Sequence, residues 1–262
     1  MNIRYPAVAG SFYDKSAQHL QSQLDNWLKP QPALHYSIRA LIVPHAGYIY
    51  SGETAAQAYR HLKSLADKIE RVILVGPSHR VYFQGCALPS AHYFATPLGN
   101  IPIDTQAIEQ LQKKENVEMS DQAHALEHCL EVQLPFLQTC LHQFTLLPLL
   151  TGNVSPATVA NLIDDLWQQE NTLLVVSSDL SHFHPYSEAQ HIDKHTCSLI
   201  EHFQSSLTPE QACGSTGINA LLLLAKKRGY QLTRMDLKNS GDTAGDKERV
   251  VGYVSYLISE IK

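Results

Sequence analysis

Three short apolar runs punctuate the chain: Ala40-Leu41-Ile42-Val43, Val72-Ile73-Leu74-Val75 and Leu173-Leu174-Val175-Val176. Runs of this length, rich in β-branched residues and closed by Gly, Pro or Ser, predict buried strands. Each is followed by candidate chemistry: Pro44-His45 after the first, Gly76-Pro77-Ser78-His79 after the second, Ser177-Ser178-Asp179 after the third. His182 and His184 lie just beyond. In an open α/β sheet the ligand site lies past the carboxyl ends of the strands. If the three runs share one sheet, His45, His79, Asp179 and His182 face one pocket, and that convergence suggests a metal site.

Between these runs the spacing of apolar positions changes to that of helices. Leu20, Leu24, Trp27 and Leu28 predict a helix over 14–28, with Asp14 as its cap. Ser51 or Gly52 opens a second helix to about Leu65, and the unit 38–75 has the length of a strand–helix–strand crossover. Further helices are expected over 104–115, 128–141, from Pro156 to about Gln169, and over 187–203 and 215–228. Strands are expected over 144–149, 230–237 and 249–258. Residues 80–103, with Pro97 and Gly99-Asn100, read as an irregular or hairpin excursion. Alternation of this kind predicts an α/β fold. Apart from the two strand-to-histidine units there is no internal repeat, and no linker interrupts the pattern, so one domain over 1–262 is expected.

Composition narrows the function classes. The 262 residues are 44% hydrophobic, enough for a substantial core, and carry a formal net charge of −5. No basic cluster tracks a helix face, and Lys226-Lys227-Arg228 suits a helix end, so no nucleic-acid partner is expected. No apolar stretch approaches the roughly 20 residues that span a bilayer, so no membrane partner is expected. The segment Met1–Pro6 lacks the apolar core of a signal peptide. Five scattered cysteines without a Cys-x-x-Cys suit reduced thiols and a cytoplasmic location.

Each candidate has a plainer reading beside the chemical one. His45 or His79 alone could simply hydrogen-bond the backbone at a strand end. Two of them at equivalent places favour a ligand pair, because neutral imidazole is the commonest metal ligand. His124, Glu127, His128 and Glu131 would form i,i+3 and i,i+4 pairs on one helix. They read as carboxylate–imidazole support behind the ligands in preference to direct ligation. There is no His-Glu-x-x-His motif, which argues against a zincin. Asp179 could orient His182, which could then move a proton, or could bind metal itself; a surface loop with incidental histidines is the alternative, and His184, before Pro185, is the weaker candidate. Cys213 differs from the other cysteines because Gly214-Ser215 marks a helix start, where a thiolate is stabilised. Tyr48 and Tyr50 flank the His45 loop as a pocket wall or as core. The stretch Gly241-Asp242-Thr243-Ala244-Gly245 is a turn and not a phosphate-binding Walker loop.

Taken in order, these motifs resemble the Memo family, which also supplies component B of the microbial AmmeMemoRadiSam set. The resemblance runs through Pro6-Ala7-Val8-Ala9-Gly10-Ser11-Phe12-Tyr13, Pro44-His45-Ala46-Gly47-Tyr48 and Gly76-Pro77-Ser78-His79. It continues in Glu127-His128-Cys129-Leu130-Glu131, Ser177-Ser178-Asp179-Leu180-Ser181-His182, Cys213-Gly214 and Gly241-Asp242-Thr243. It implies a three-layer α/β/α fold with a central mixed sheet, related to class III extradiol dioxygenases of the LigB type. By resemblance, His45, His79 and Cys213 are metal ligands, and His182, supported by Asp179, is the proton-transfer residue. Asp242 falls in a family motif at the pocket. Cys213 stands where extradiol enzymes use a glutamate, replacing a hard donor with a soft one.

The resemblance therefore implies one redox-active metal ion, iron or copper, with zinc acquired on isolation, and an oxidoreductase or dioxygenase reaction. A binding or scaffold protein that keeps the pocket without turnover is the alternative, and a metallohydrolase ranks below both. The ligand is an unknown small molecule or peptide. Radical-SAM and AMMECR-like proteins are the partners the family suggests.

Overall fold

The computed structural model describes residues 2–32 and 36–261. The chain begins with β1 (Ile3–Arg4), α1 (Ala17–Trp27), β2 (Tyr36–Val43), α2 (Tyr48–Tyr59) and β3 (Arg71–Pro77). The expected excursion contains β4 (Cys86–Leu88), β5 (Tyr93–Thr96) and β6 (Gly99–Pro102), followed by α3 (Thr105–Leu111), β7 (Val117–Met119) and α4 (Asp121–Ala125). Next come α5 (Leu134–Cys140), β8 (Thr145–Thr151), α6 (Pro156–Trp167), β9 (Thr172–Ser177), β10 (His182–His184) and α7 (Tyr186–Glu201). The last elements are α8 (Ser215–Arg228), β11 (Gln231–Asn239) and β12 (Val250–Ile261).

A mixed sheet runs in the order β10-β12-β2-β9-β3-β8-β4-β7, and β11 also pairs with β12. Its centre, β2-β9-β3-β8, is parallel, and β12 closes against β2 antiparallel. On either side are helices, with α1, α2 and α5 packed together and α6 packed on α8. The result is a three-layer α/β/α architecture around the sheet. The predicted runs are its middle: Val72–Val75 and Leu173–Val176 are at most 1% exposed. Each such side chain contributes roughly 1.5–3 kcal/mol by leaving water.

The register decides where the site forms. β9 lies between β2 and β3, so the 38–75 crossover skips one strand position. Val43 stands opposite Ser177, and Val75 opposite Val176, which brings the three carboxyl ends to one level. His45, Asp179 and His79 each follow the last residue of their strand by two positions. The Ser178 N–H donates to Val43 O at 2.9 Å, tying two of these ends together.

Several helix boundaries differ from expectation, each for a local reason. Ser16, and not Asp14, caps α1 by accepting from the His19 N–H. α2 starts at Tyr48 because Gly47 O accepts from the Ser51 N–H, and it tightens into a 3-10 turn over Arg60–Leu65. The helix expected over 128–141 is only α5, preceded by a 3-10 turn over Glu131–Gln133. The Glu127 carboxylate takes the N–H groups of His128 and Cys129, which diverts the backbone from a helix. His124, Glu127, His128 and Glu131 therefore do not share a helix face.

Candidate metal centre

His45 enters the site with its ring orientation determined. Its Nδ1 lies 2.8 Å from Ser177 Oγ, and its backbone N–H donates to Asp179 Oδ1 at 2.8 Å. Ser177 Oγ gives its single proton to Cys129 O at 2.7 Å and accepts from Gln133 Nε2 at 2.9 Å. Only an acceptor position remains towards His45, so Nδ1 carries the proton and the Nε2 lone pair faces the pocket. His79 is held in the same way. Glu127 Oε1 accepts from its Nδ1 at 2.8 Å, and Glu127 Oε2 accepts from its backbone N–H at 2.7 Å. Outward hydrogen bonds of this kind orient ligating imidazoles and raise their basicity.

Ring nitrogens of His45, His79 and His128 all lie within 4.8 Å of one another. Cys213 Sγ is 3.3 Å from His45 Nε2. Ligand bonds of about 2.1 Å to nitrogen and 2.3 Å to sulfur give an N···S separation of roughly 3.6 Å at a tetrahedral angle. The His45–Cys213 pair therefore fits a shared ion with little adjustment. A second group, His79, Glu127 and Cys129, is equally compact. Its carboxylate is already committed, because Oε1 also accepts from the N–H groups of His128 and Cys129. Hydrogen bonding accounts for that group.

Electrostatics also suit a cation. Burial, then the His79 ring, holds His45 well below the usual imidazole range. Burial, then His45, lowers His128 to about 4. Both rings are neutral at pH 7 and keep a lone pair. Burial and the facing Asp179 push the Cys213 thiol up to about 12, so it needs a bound cation to ionise near neutrality. Burial opposes ionisation of Glu127, but the hydrogen bonds from the His79 ring and from the His79 and Cys129 N–H groups prevail and hold it at about 2. Asp179 is raised by burial, against the His45 N–H and the His182 ring.

The other predicted residues divide clearly by position. Asp179 makes no hydrogen bond to His182 among the described residues; its carboxylate accepts from the His45 N–H, and Oδ2 lies 3.9 Å from His45 Nε2. His182 is half-buried at the start of β10, opposite Val251. His124 Nε2 is bonded to Ala87 O at 2.9 Å, and Glu131 accepts from Arg4, the Ala7 and Val8 N–H groups and the Tyr13 hydroxyl. Both lie outside the three-histidine group. Tyr48 is core, 4% exposed, and donates to Val132 O, whereas Tyr50 is partly exposed. His184 bonds Glu188 at the α7 start, and Asp242 accepts from the Tyr186 hydroxyl and the Asn239 N–H.

Sequence reading missed Ser177, Gln133 and Arg4. The Arg4 guanidinium holds His124 O, Glu127 O and Glu131, clamping the segment that carries Glu127 and His128. A signal existed for Gln133, a lone amide between apolar Val132 and Leu134. Ser177 had one as well, as the first polar residue after a buried run.

Known proteins resemble this chain along nearly its whole length. A family profile described as "Memo-like protein" matches residues 4–257. The chain belongs to the Memo family. It is 33% identical to a MEMO1 family protein of Aquifex aeolicus, covering 98% of this chain and 99% of the relative. It is 34% identical to a MEMO1 family protein of Thermoplasma acidophilum, with coverage of 98% and 99%. A MEMO1 family protein of Methanosarcina mazei is 32% identical, with coverage of 98% and 100%. Among the described residues of this Memo-family chain, no helix is long and apolar enough to cross a membrane.

Proposed function

We propose that this Memo-family chain is a metal-dependent oxidoreductase with one iron or copper ion held by His45, His79 and Cys213. The observation that carries the reading is the pair of fixed tautomers: Ser177 and Glu127 each take an Nδ1–H and turn an Nε2 lone pair inward. Cys213, 3.3 Å from His45 Nε2, supplies the thiolate. When bound, the ion would supply electron transfer or O₂ activation, as the proposed relation to LigB-type extradiol dioxygenases suggests. The protein's own work is proton handling. His182 moves a proton at the pocket, and Asp179 holds the His45 backbone N–H. Neutral His45 and His128 leave the site ready for a cation without first shedding protons.

Five free cysteines support a reduced, cytoplasmic setting for such a centre. The three-imidazole group supports a second reading, in which His128 replaces Cys213 around zinc and the reaction is hydrolysis. Metal content of anaerobically purified wild type, His45→Ala, His79→Ala, His128→Ala and Cys213→Ser decides between them. The first reading expects loss in the His45, His79 and Cys213 variants and retention in His128→Ala. Retention in Cys213→Ser with loss in His128→Ala selects the second. Unchanged metal content across the whole set refutes both.

A further inference from the structure

Beside the metal centre a cleft of about 640 Å³ opens between the end of β3, the Gly152 turn after β8 and the start of α8. His79 and Cys213 are on its wall. No Asp or Glu is there, although the chain has 25 acidic residues against 20 Lys and Arg. The wall carries Arg80 instead, which is exposed and has no carboxylate partner among the described residues.

α8, fourteen residues long, begins on this wall. Its N-cap is Gly214, which has no side chain to satisfy the first turn. The N–H groups of Thr216 and Gly217 meet no acceptor among the described residues. Such a turn carries partial positive charge and free donors. Ser215 adds an independent sign. It is 3% exposed, lies on the cleft wall, and its hydroxyl has no hydrogen-bond partner among the described residues. The side chain is thus almost wholly enclosed, with its hydroxyl free to donate at the cleft wall that Thr216 shares.

We propose that the cleft is an oxyanion subsite, taking the phosphate or carboxylate group of a small organic substrate. The Thr216 and Gly217 N–H groups and the Ser215 hydroxyl donate to the anion, and Arg80 neutralises it. Tyr82, 80% exposed, offers an aromatic wall to the rest of the molecule. The anchored group would hold the neighbouring atoms of the substrate beside His79 and Cys213. That last step rests on the proposed metal centre; binding of the anion does not.

The test is calorimetric titration of inorganic phosphate and of acetate into the full-length protein, chelator-treated and zinc-loaded. Wild type is compared with Arg80→Ala, Ser215→Ala and Thr216→Pro. Proline is tolerated in a first helical turn, so Thr216→Pro deletes one donor without breaking α8, and thermal melts check that each variant folds. Metal-free wild type should bind an oxyanion, and each variant should bind it roughly tenfold more weakly, with zinc stoichiometry unchanged. Tighter phosphate than acetate identifies a phosphate group as the ligand, and the reverse order a carboxylate. Absence of binding by wild type, or equal affinity in wild type and all variants, overturns the proposal. Binding only to zinc-loaded protein, undiminished by the substitutions, also overturns it, because the ion is then on the metal. Zinc failing to bind wild type while the oxyanion still does would remove the metal reading and leave the subsite.

Discussion

Replacing Ser177 by Ala should damage stability and metal binding together, whereas the same change at Ser255 should do neither. Both serines are fully buried in the sheet. Ser177 Oγ joins three groups: it donates to Cys129 O and accepts from Gln133 Nε2 and the His45 ring. Ser255 Oγ has no partner among the described residues. A hydrogen bond contributes about 1 kcal/mol net, and a buried group left unpaired costs about 1–3 kcal/mol. Gln133 keeps its bond to Pro44 O, so the loss falls mainly on Cys129 O and His45 Nδ1–H. Ser177→Ala is therefore expected to lose about 2–4 kcal/mol, and Ser255→Ala to be neutral or slightly stabilising. Freed from its hydrogen bond, His45 can exchange tautomers, and loss of such a partner typically weakens metal binding about 10–100-fold. Urea denaturation of the metal-free proteins measures the first effect and competitive zinc titration the second. Equal stability of the two variants, with unchanged zinc affinity in Ser177→Ala, would refute the tautomer argument.

Three further outcomes follow from the same structure. Arg4→Leu leaves Glu131 buried and charged without its guanidinium, which should cost about 3–5 kcal/mol in denaturant titrations. Gly214→Ala would set a Cβ 2.6 Å from Ser177 O, so a loss of about 1–3 kcal/mol is expected, and a melting temperature equal to wild type would contradict the close approach. Asp193 is raised to about 6 by burial, against the Ser181 N–H it accepts from. Its folded pKa exceeds the unfolded value of about 3.9, so the folded state binds the extra proton and stability falls as pH rises through about 4–6. Asp193→Asn should remove that component, seen as a flatter stability–pH curve than wild type across the window.

Much of the frame was legible in the linear chain. A run such as Leu173–Val176 has no polar side to expose, so it must be a buried strand, and the polar residues that end it mark the edge of the core. For that reason His45, His79 and Asp179 could be placed at strand ends, and the ordered motifs were enough to suggest the family. Local periodicity could not see which strand lies beside which. It takes β9 between β2 and β3 to bring Ser177 to His45, 132 residues apart, and Asp179 to the His45 N–H, 134 residues apart. Nor could it see Glu127 turning on its own backbone, which breaks the expected helix and releases His128 into the three-histidine group. Chain patterning determined the strands and their polar ends because burial acts residue by residue. Ligand grouping, tautomers and the open cleft at α8 were decided by tertiary structure, because hydrogen bonds and charge depend on distances between segments that the sequence keeps far apart.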